Sequence, residues 1–285
     1  MKYKFILYIL ILIICILLYI LLNKKIVEKY ETLENIIGVL CFHQEWTDII
    51  NCLALINIYS SKYKTLYLII RDDAVKLIQY YIKDIKNIFL LTAPKLNINN
   101  HEFLNIINNL KELKIEGYEY IALFDVKRPI TDKYHNVWIP AEQSKSDIRF
   151  ERKFYELYDL SFSDKIDKFE LRRDIDLENE VYNRIVKNEP YICVHDREGV
   201  YPITVNNDYH IIKLAEASEI FFDYIKILQN AKEIHVIDSV WAAVCYQLDA
   251  KYRIFENIPI YVYCVRGHNK MFSEPINLPN WTMKE

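Results

Sequence analysis

The sequence predicts an α/β protein in two halves, each built on a parallel sheet, behind one N-terminal transmembrane helix. Three observations carry that expectation. Phe5–Leu22 runs without a charge. From Ile36 onward, short β-branched runs alternate with longer segments of helical apolar spacing, the pattern of βαβ units rather than of a sandwich. The alternation breaks over Asp125–Ser146, where Pro129, Trp138 and Pro140 interrupt it, and then resumes. The expected division is an anchor and stem over 1–30, a first α/β half over 31–160 and a second over 161–285.

The segment FILYILILIICILLYILL, at about 1.5 Å per residue, just spans a hydrocarbon core of about 30 Å. Tyr8 and Tyr19 sit towards its ends, as interfacial aromatics do. A cleaved signal peptide has a shorter apolar core and a small-residue cleavage site, and the Asn23-Lys24-Lys25 that follows Leu22 offers none. A retained single-pass anchor is expected. Lys2 and Lys4 precede it and Lys24, Lys25 and Lys29 follow, so the charges leave its orientation open.

In the first half, Ile36–Phe42 reads as a buried strand and Thr47–Ser60 as a helix with Ile49, Ile50, Leu53 and Ile56 on one face. A strand at Thr65–Ile70 precedes a helix capped by Asp72 or Asp73 and running to Ile82. A strand at Ile88–Leu91, a helix at His101–Leu113 and a strand at Tyr120–Phe124 complete the unit. In the second half, helices are expected at Asp147–Leu157 and Glu170–Val186. Strands are expected at Tyr191–His195, Tyr209–Ile212, Glu233–Ile237 and Pro259–Cys264. Phe221, Tyr224, Ile225 and Leu228 recur at helical spacing before the third of these strands. Asp238-Ser239 after that strand reads as the N-cap of a helix over Val240–Leu248. The tail Ser273–Glu285, with Pro275 and Pro279, reads as a surface segment, and Asn280-Trp281-Thr282 as a glycosylation sequon usable on a luminal side.

Composition removes several function classes. A formal net charge of −3 gives no footprint for nucleic acid. The four glycines, at 38, 117, 199 and 267, fit neither a Walker loop nor a G-x-G-x-x-G turn. The six cysteines form no C-x-x-C pair, and no histidine stands at zinc-ligand spacing from them. No metal or other cofactor is expected, and the cysteines read as small buried thiols with disulfides left open.

Four loops at strand ends carry residues suited to chemistry. After the first strand, His43, Glu45 and Asp48 are candidates for a general base, with helix capping by Thr47 or Asp48 as the plain alternative. Asp125-Val-Lys127-Arg128 is placed to contact a ligand, with charges simply paired within the linker as the plainer reading. In His195-Asp196-Arg197-Glu198-Gly199, Arg197 is a candidate phosphate clamp, because a guanidinium is a planar bidentate donor that stays charged. Gly199 supplies the turn for close approach, while Asp196 and Glu198 are acids placed to satisfy Arg197 internally. Asp238 and Ser239 bring a helix N-terminus to a sheet edge, where free N–H groups and the helix dipole attract anions; a helix cap alone explains both residues. Asp174-Ile-Asp176 has D-x-D spacing but opens a charged helix, so it reads as first-turn acids and not as a metal site.

The second half resembles nucleotide-sugar glycosyltransferases of the GT-B type, with two Rossmann-like halves, particularly fucosyltransferase-like and heptosyltransferase-like members. The resemblance rests on three stretches within about 150–250. One is Phe154-Tyr155-Glu156-Leu157-Tyr158 through Phe162, with Arg172-Arg173 and Glu180, similar to the family's interdomain segment. Another is Tyr191 through Gly199, similar to the family's strand ending in a His-x-Arg loop at the donor diphosphate. The third is Phe222-Asp223-Tyr224 through Asn230 to Asp238-Ser239, similar to its late helix–strand–Asp-Ser–helix element. The resemblance implies donor contacts by His195, Arg197, Gly199, Asp238 and Ser239, and a base from His43, Glu45 or Asp48. The implied partners are a nucleotide-sugar donor and a glycan or other hydroxyl acceptor. Two stretches depart from the family. His43-Gln44-Glu45-Trp46 stands where the family has a Gly-Asp loop, and Glu198-Gly199-Val200 follows Arg197 in place of a second Arg and Gly-Asp. These departures leave an alternative, a non-catalytic anchored scaffold or binding module on the same fold.

Overall fold

The computed structural model describes residue 19 and residues 37–42, 46–93, 118–122, 136–137, 150–156, 159–187, 190–197, 200–205, 208–214, 220–265 and 277–284. Two five-stranded sheets carry the fold. The first comprises β1 (Ile37–Phe42), β2 (Thr65–Arg71), β3 (Ile88–Ala93), β4 (Tyr118–Ala122) and β5 (Asn136–Val137), in the order β3-β2-β1-β4-β5. The second comprises β6 (Tyr191–His195), β7 (His210–Lys213), β8 (Ile234–Ile237), β9 (Ile260–Tyr263) and β10 (Trp281–Lys284), in the order β10-β9-β8-β6-β7. Every strand pair is parallel, as βαβ alternation requires.

Helix α1 (Trp46–Lys62) follows β1 and is buried all round from Ile49 through Ile56, and again at Tyr59. Its end turns through Tyr63, whose ring packs against Gly38 of β1. A Cβ on Gly38 would stand 2.5 Å from Tyr63 Cδ2, so only glycine admits that ring. Helix α2 (Val75–Ile82) follows β2 after a 3-10 turn at Asp72–Ala74. Here the expected cap is not made. Asp72 Oδ1 accepts from the neighbouring Asp73 N–H, and no side chain caps α2.

Helices α3 (Phe150–Glu156) and α4 (Asp164–Asp167) lead into the second half, followed by α5 (Ile175–Ile185). The helix expected from Glu170 begins only at Ile175. The backbone N–H groups of Glu170 and Asp174 are taken by the Tyr81 and Tyr80 hydroxyls, at 3.3 and 2.8 Å, which holds the intervening chain outside the helix. Asp174 then caps α5, its Oδ1 accepting from Leu177 N–H at 3.1 Å, as first-turn acids do. A 3-10 turn at Phe221–Tyr224 runs into α6 (Ile225–Asn230), and α7 (Val240–Tyr252) connects β8 to β9.

One apolar core runs through both halves, since its buried members come from α1, α2, α7 and both sheets. Helix α7 is buried on almost all sides (Val240–Cys245 and Gln247–Asp249), because α1 and α4 of the chain's earlier part cover the side that β8 does not. Hydrogen bonds reinforce the junction: Tyr155 OH donates to Asn51 O, and Asn57 Nδ2 to Lys168 O, each at 2.8 Å.

Two further expectations are corrected. The stretch 125–146, read as irregular, contributes β5. The tail contributes β10, anchored by Trp281, which is only 9 % exposed. Fully buried Asp249 draws the tail in, accepting from Trp281 Nε1 at 2.9 Å and from Asn280 Nδ2 at 3.1 Å. Asn280 Nδ2 also donates to the Phe255 and Ile258 carbonyls, so the apparent sequon is a structural amide. The helix expected at 101–113 lies outside the described residues, as does the anchor at 5–22 except for Tyr19. Among the described residues no helix is long and apolar enough to cross a membrane.

Candidate functional site

In a parallel α/β sheet, ligands bind beyond the carboxyl ends of the strands. Here the carboxyl edges of the two sheets are joined by a file of side chains. Arg71 ends β2, is 2 % exposed, and is held by Asp73 through Nε–Oδ1 at 2.8 Å and Nη2–Oδ2 at 2.6 Å. Its guanidinium lies 5.4 Å from the centre of the Trp46 ring, the first residue of α1. Trp46 meets Phe221 edge-to-face at 5.4 Å, and Phe221 meets Trp241 in α7 likewise at 5.2 Å. Trp241 in turn touches Tyr224 at 5.3 Å and the imidazole of His195 at 6.4 Å. The file thus passes from β2 of one sheet to β6 of the other.

Of the expected donor residues, His195, Arg197, Asp238 and Ser239 fall on two neighbouring strand ends, those of β6 and β8. They are not equally available. His195 is 3 % exposed, turned to the core, with Nδ1 3.3 Å from the Leu214 carbonyl. Asp238 is buried, its N–H donating to Tyr263 O and its Oδ1 accepting from Val265 N–H at 3.3 Å. Ser239 occupies the N-cap position of α7 but makes no capping bond, and its Oγ is buried without a hydrogen-bond partner. A buried hydroxyl at a helix N-terminus without a partner is a donor with nothing to donate to.

Arg197 is exposed at the base of a tight hairpin, where Arg197 and Tyr201 exchange backbone bonds of 3.3 and 2.7 Å. The acid before it does not neutralise it. Asp196 turns to the other side, accepting from Lys213 Nζ at 2.6 Å and Ile203 N–H at 3.2 Å. Burial pushes the Asp196 carboxyl up, but Lys213 and the Ile203 N–H outweigh it and hold it below the usual carboxylate value. Gly199 and Glu198 lie outside the described residues, as do His43, Glu45 and the pair Lys127-Arg128. Asp48 sits in the first turn of α1, half-buried, next to the Trp46 end of the file.

Sequence reasoning missed Arg71, Trp46 and Trp241. Arg71 had a signal, being a lone cation closing the apolar run Thr65–Ile70. Trp46 had none, because its contact with Phe221 is between halves, while Trp241 meets Phe221, Tyr224 and His195 of its own half, residues that only the fold brings together.

No family model matches the sequence, and no curated protein matches it. Among solved structures, the glycosyl transferase family 9 protein from Veillonella parvula aligns over 88 % of this chain and 87 % of its own, with a TM-score of 0.56 and 11 % identity. The E. coli heptosyltransferase WaaC with ADP aligns over 87 % of this chain and 92 % of its own, with a TM-score of 0.44 and 10 % identity. The first likeness establishes a mixed α/β fold with parallel sheets of the GT-B kind.

Proposed function

We propose that this chain is a membrane-anchored, GT-B-type glycosyltransferase that takes a nucleotide-diphosphate sugar at the carboxyl edge of the second sheet and passes the sugar to a hydroxyl acceptor. The observation that carries the proposal is the pairing of the unpartnered Ser239 hydroxyl at the α7 N-terminus with Arg197 on the adjoining strand end, in a fold shared with a glycosyltransferase.

In this reading Arg197, with no described carboxylate holding it, swings to the diphosphate from its hairpin. Ser239 and the first N–H groups of α7 donate to the same phosphates, and Asp238 orders the sugar or ribose. Transfer breaks the bond between anomeric carbon and diphosphate oxygen, leaving negative charge where the guanidinium and helix dipole lie. The acceptor proton goes to a base from the first half, His43, Glu45 or Asp48. His195 acts from behind, holding Leu214 and bracing Trp241. Residues 5–22 hold the catalytic halves at a membrane, and the acceptor is a glycan or another hydroxyl compound.

A thermal-shift screen of nucleotides and nucleotide sugars tests the proposal, since a ligand that binds only the folded chain raises its midpoint. Arg197→Ala then weakens donor binding by about 2 kcal/mol, roughly thirtyfold, as loss of a charge-assisted contact does. Unchanged donor affinity in that variant removes Arg197 from the site. A second reading, a non-catalytic scaffold, is favoured by the aromatic file itself, since Phe221 and Trp241 are fully buried between the two edges. Failure of every donor both to shift the midpoint and to be hydrolysed selects that reading.

A further inference from the structure

The second sheet has a face that the cleft does not use. Ile234, Val236, Ile260 and Val262 point to the shared core, so the alternating residues His235, Tyr261 and Tyr263 point the other way. On that outer face His235 is held at three sides. Its Nε2 lies 2.8 Å from Glu233 Oε2, its Nδ1 lies 3.1 Å from the Tyr263 hydroxyl, and its ring stacks on Tyr261 at 4.7 Å and 23°. The Lys284 ammonium, from β10, stands 5.1 Å from the centre of the Tyr261 ring. These side chains floor a pocket of about 260 Å³ whose far wall is Thr204 and Val205.

The hydrogen-bond chemistry of this chain has a direction. A carboxylate only accepts, so Glu233 fixes a proton on Nε2 in either charge state of the ring. In neutral His235, Nδ1 bears a lone pair and the Tyr263 hydroxyl must donate into it, leaving the pocket only the phenol's acceptor side. Protonation gives Nδ1 a hydrogen that donates to the Tyr263 oxygen, and the phenol proton is released to turn outward. The phenol keeps that proton, because burial, then Tyr261 and Glu233, push its pKa up. The imidazolium also offsets the Glu233 charge, so Lys284 dominates the pocket. Among the described residues, Lys213 also stands on this face, two strands away and paired with Asp196 at 2.6 Å.

We propose that Glu233, His235, Tyr263 and Lys284 form a proton-gated oxyanion site, in which protonated His235 turns the Tyr263 hydroxyl outward to bind a small oxyanion together with the Lys284 ammonium. Thr204 adds a third donor from the opposite wall. The site is independent of the donor cleft, and its occupancy couples ambient pH to the far face of the nucleotide-sugar half.

Sulfate is the probe, because its charge stays constant over the range in which imidazoles titrate. Titration of the full chain, followed calorimetrically at about pH 5.5 and about pH 8, is expected to show at least tenfold tighter binding at the lower pH. His235→Gln keeps a polar side chain without the charge, and Tyr263→Phe removes one oxygen; each abolishes the gain while leaving donor-sugar affinity unchanged. Lys284→Gln weakens sulfate at both pH values. Equal affinity at the two pH values, no sulfate binding at pH 5.5, or a gain that survives in Tyr263→Phe overturns the proposal. Because the single-oxygen change retains the ring, its result stands even where His235→Gln disturbs the fold.

Discussion

Trp241→Ala tests whether the two halves share one core. The indole is 0 % exposed and has ring partners on three sides: Phe221 at 5.2 Å, Tyr224 at 5.3 Å and His195 at 6.4 Å. Truncating a buried tryptophan costs about 3–5 kcal/mol. Flat rings anchored on separate elements cannot close around the hole, and each pair adds an electrostatic share beyond area, so the upper end applies. With a urea slope of about 3 kcal/mol/M, a loss of about 4.5 kcal/mol lowers the midpoint by about 1.5 M. Far-ultraviolet circular dichroism is the suitable signal, since the variant has lost a fluorophore. Because buried residues of both sheets belong to one cluster, a single transition is expected in both proteins. A variant whose transition splits, with one step at the parental midpoint, refutes the shared core; a loss below about 1 kcal/mol means that the indole is not packed as its three ring partners require.

Asp249→Asn keeps the volume but replaces acceptor oxygens that serve Phe255 N–H, Asn280 Nδ2 and Trp281 Nε1. An amide orphans at least one of these buried donors, so a loss of about 3 kcal/mol is expected in the same assay, and a value under about 1 kcal/mol would mean that β10 is held by other means. Asp196→Asn tests the ion pair with Lys213. A carboxyl held below its ordinary value contributes stability that is complete above the unfolded value near 3.8 and is lost as pH falls through the folded one. The deficit of the variant at neutral pH should therefore shrink as the medium is acidified through about pH 4. A deficit that stays constant would place the effect elsewhere.

Much of the architecture is local and was legible for that reason. Strands such as Tyr191–His195 are buried along their whole length, and parallel strands covered on both faces read as continuous apolar runs. That Asp174 and Asp176 belong to the opening of a helix was equally legible, because acids at a helix start need only their own helix. Misread segments are those whose state is set from a distance. Glu170–Asp174 has helical composition, yet two tyrosine hydroxyls from α2 take its backbone donors. The tail, with its two prolines, looks like a loop until Asp249, some thirty residues earlier, supplies the acceptor that seats it. The candidate site divides the same way. Asp238, Ser239 and Arg197 follow strands and so announce themselves, whereas Trp46 matters only because the two edges meet.

His195 and His235 show what the remaining step requires. Both lie in short, wholly buried strands, and nothing in their immediate neighbours separates them. Register does. The β6–β8 pairing sets His195 beside Val236, and both take the core side; His235 sets beside Val194 and takes the other. A slip of one residue in β8 would carry His235 into the core and turn Ile234 and Val236 outward. Ile234 and Val236 belong to the apolar cluster, so a slip would pull two branched side chains out of it and put an imidazole in their place, away from Glu233 and Tyr263. Those two residues therefore do more than fill the core. By fixing the register they hold Glu233, His235 and Tyr263 in line on the outer face, and the geometry of a polar site is set by the apolar residues that alternate with it.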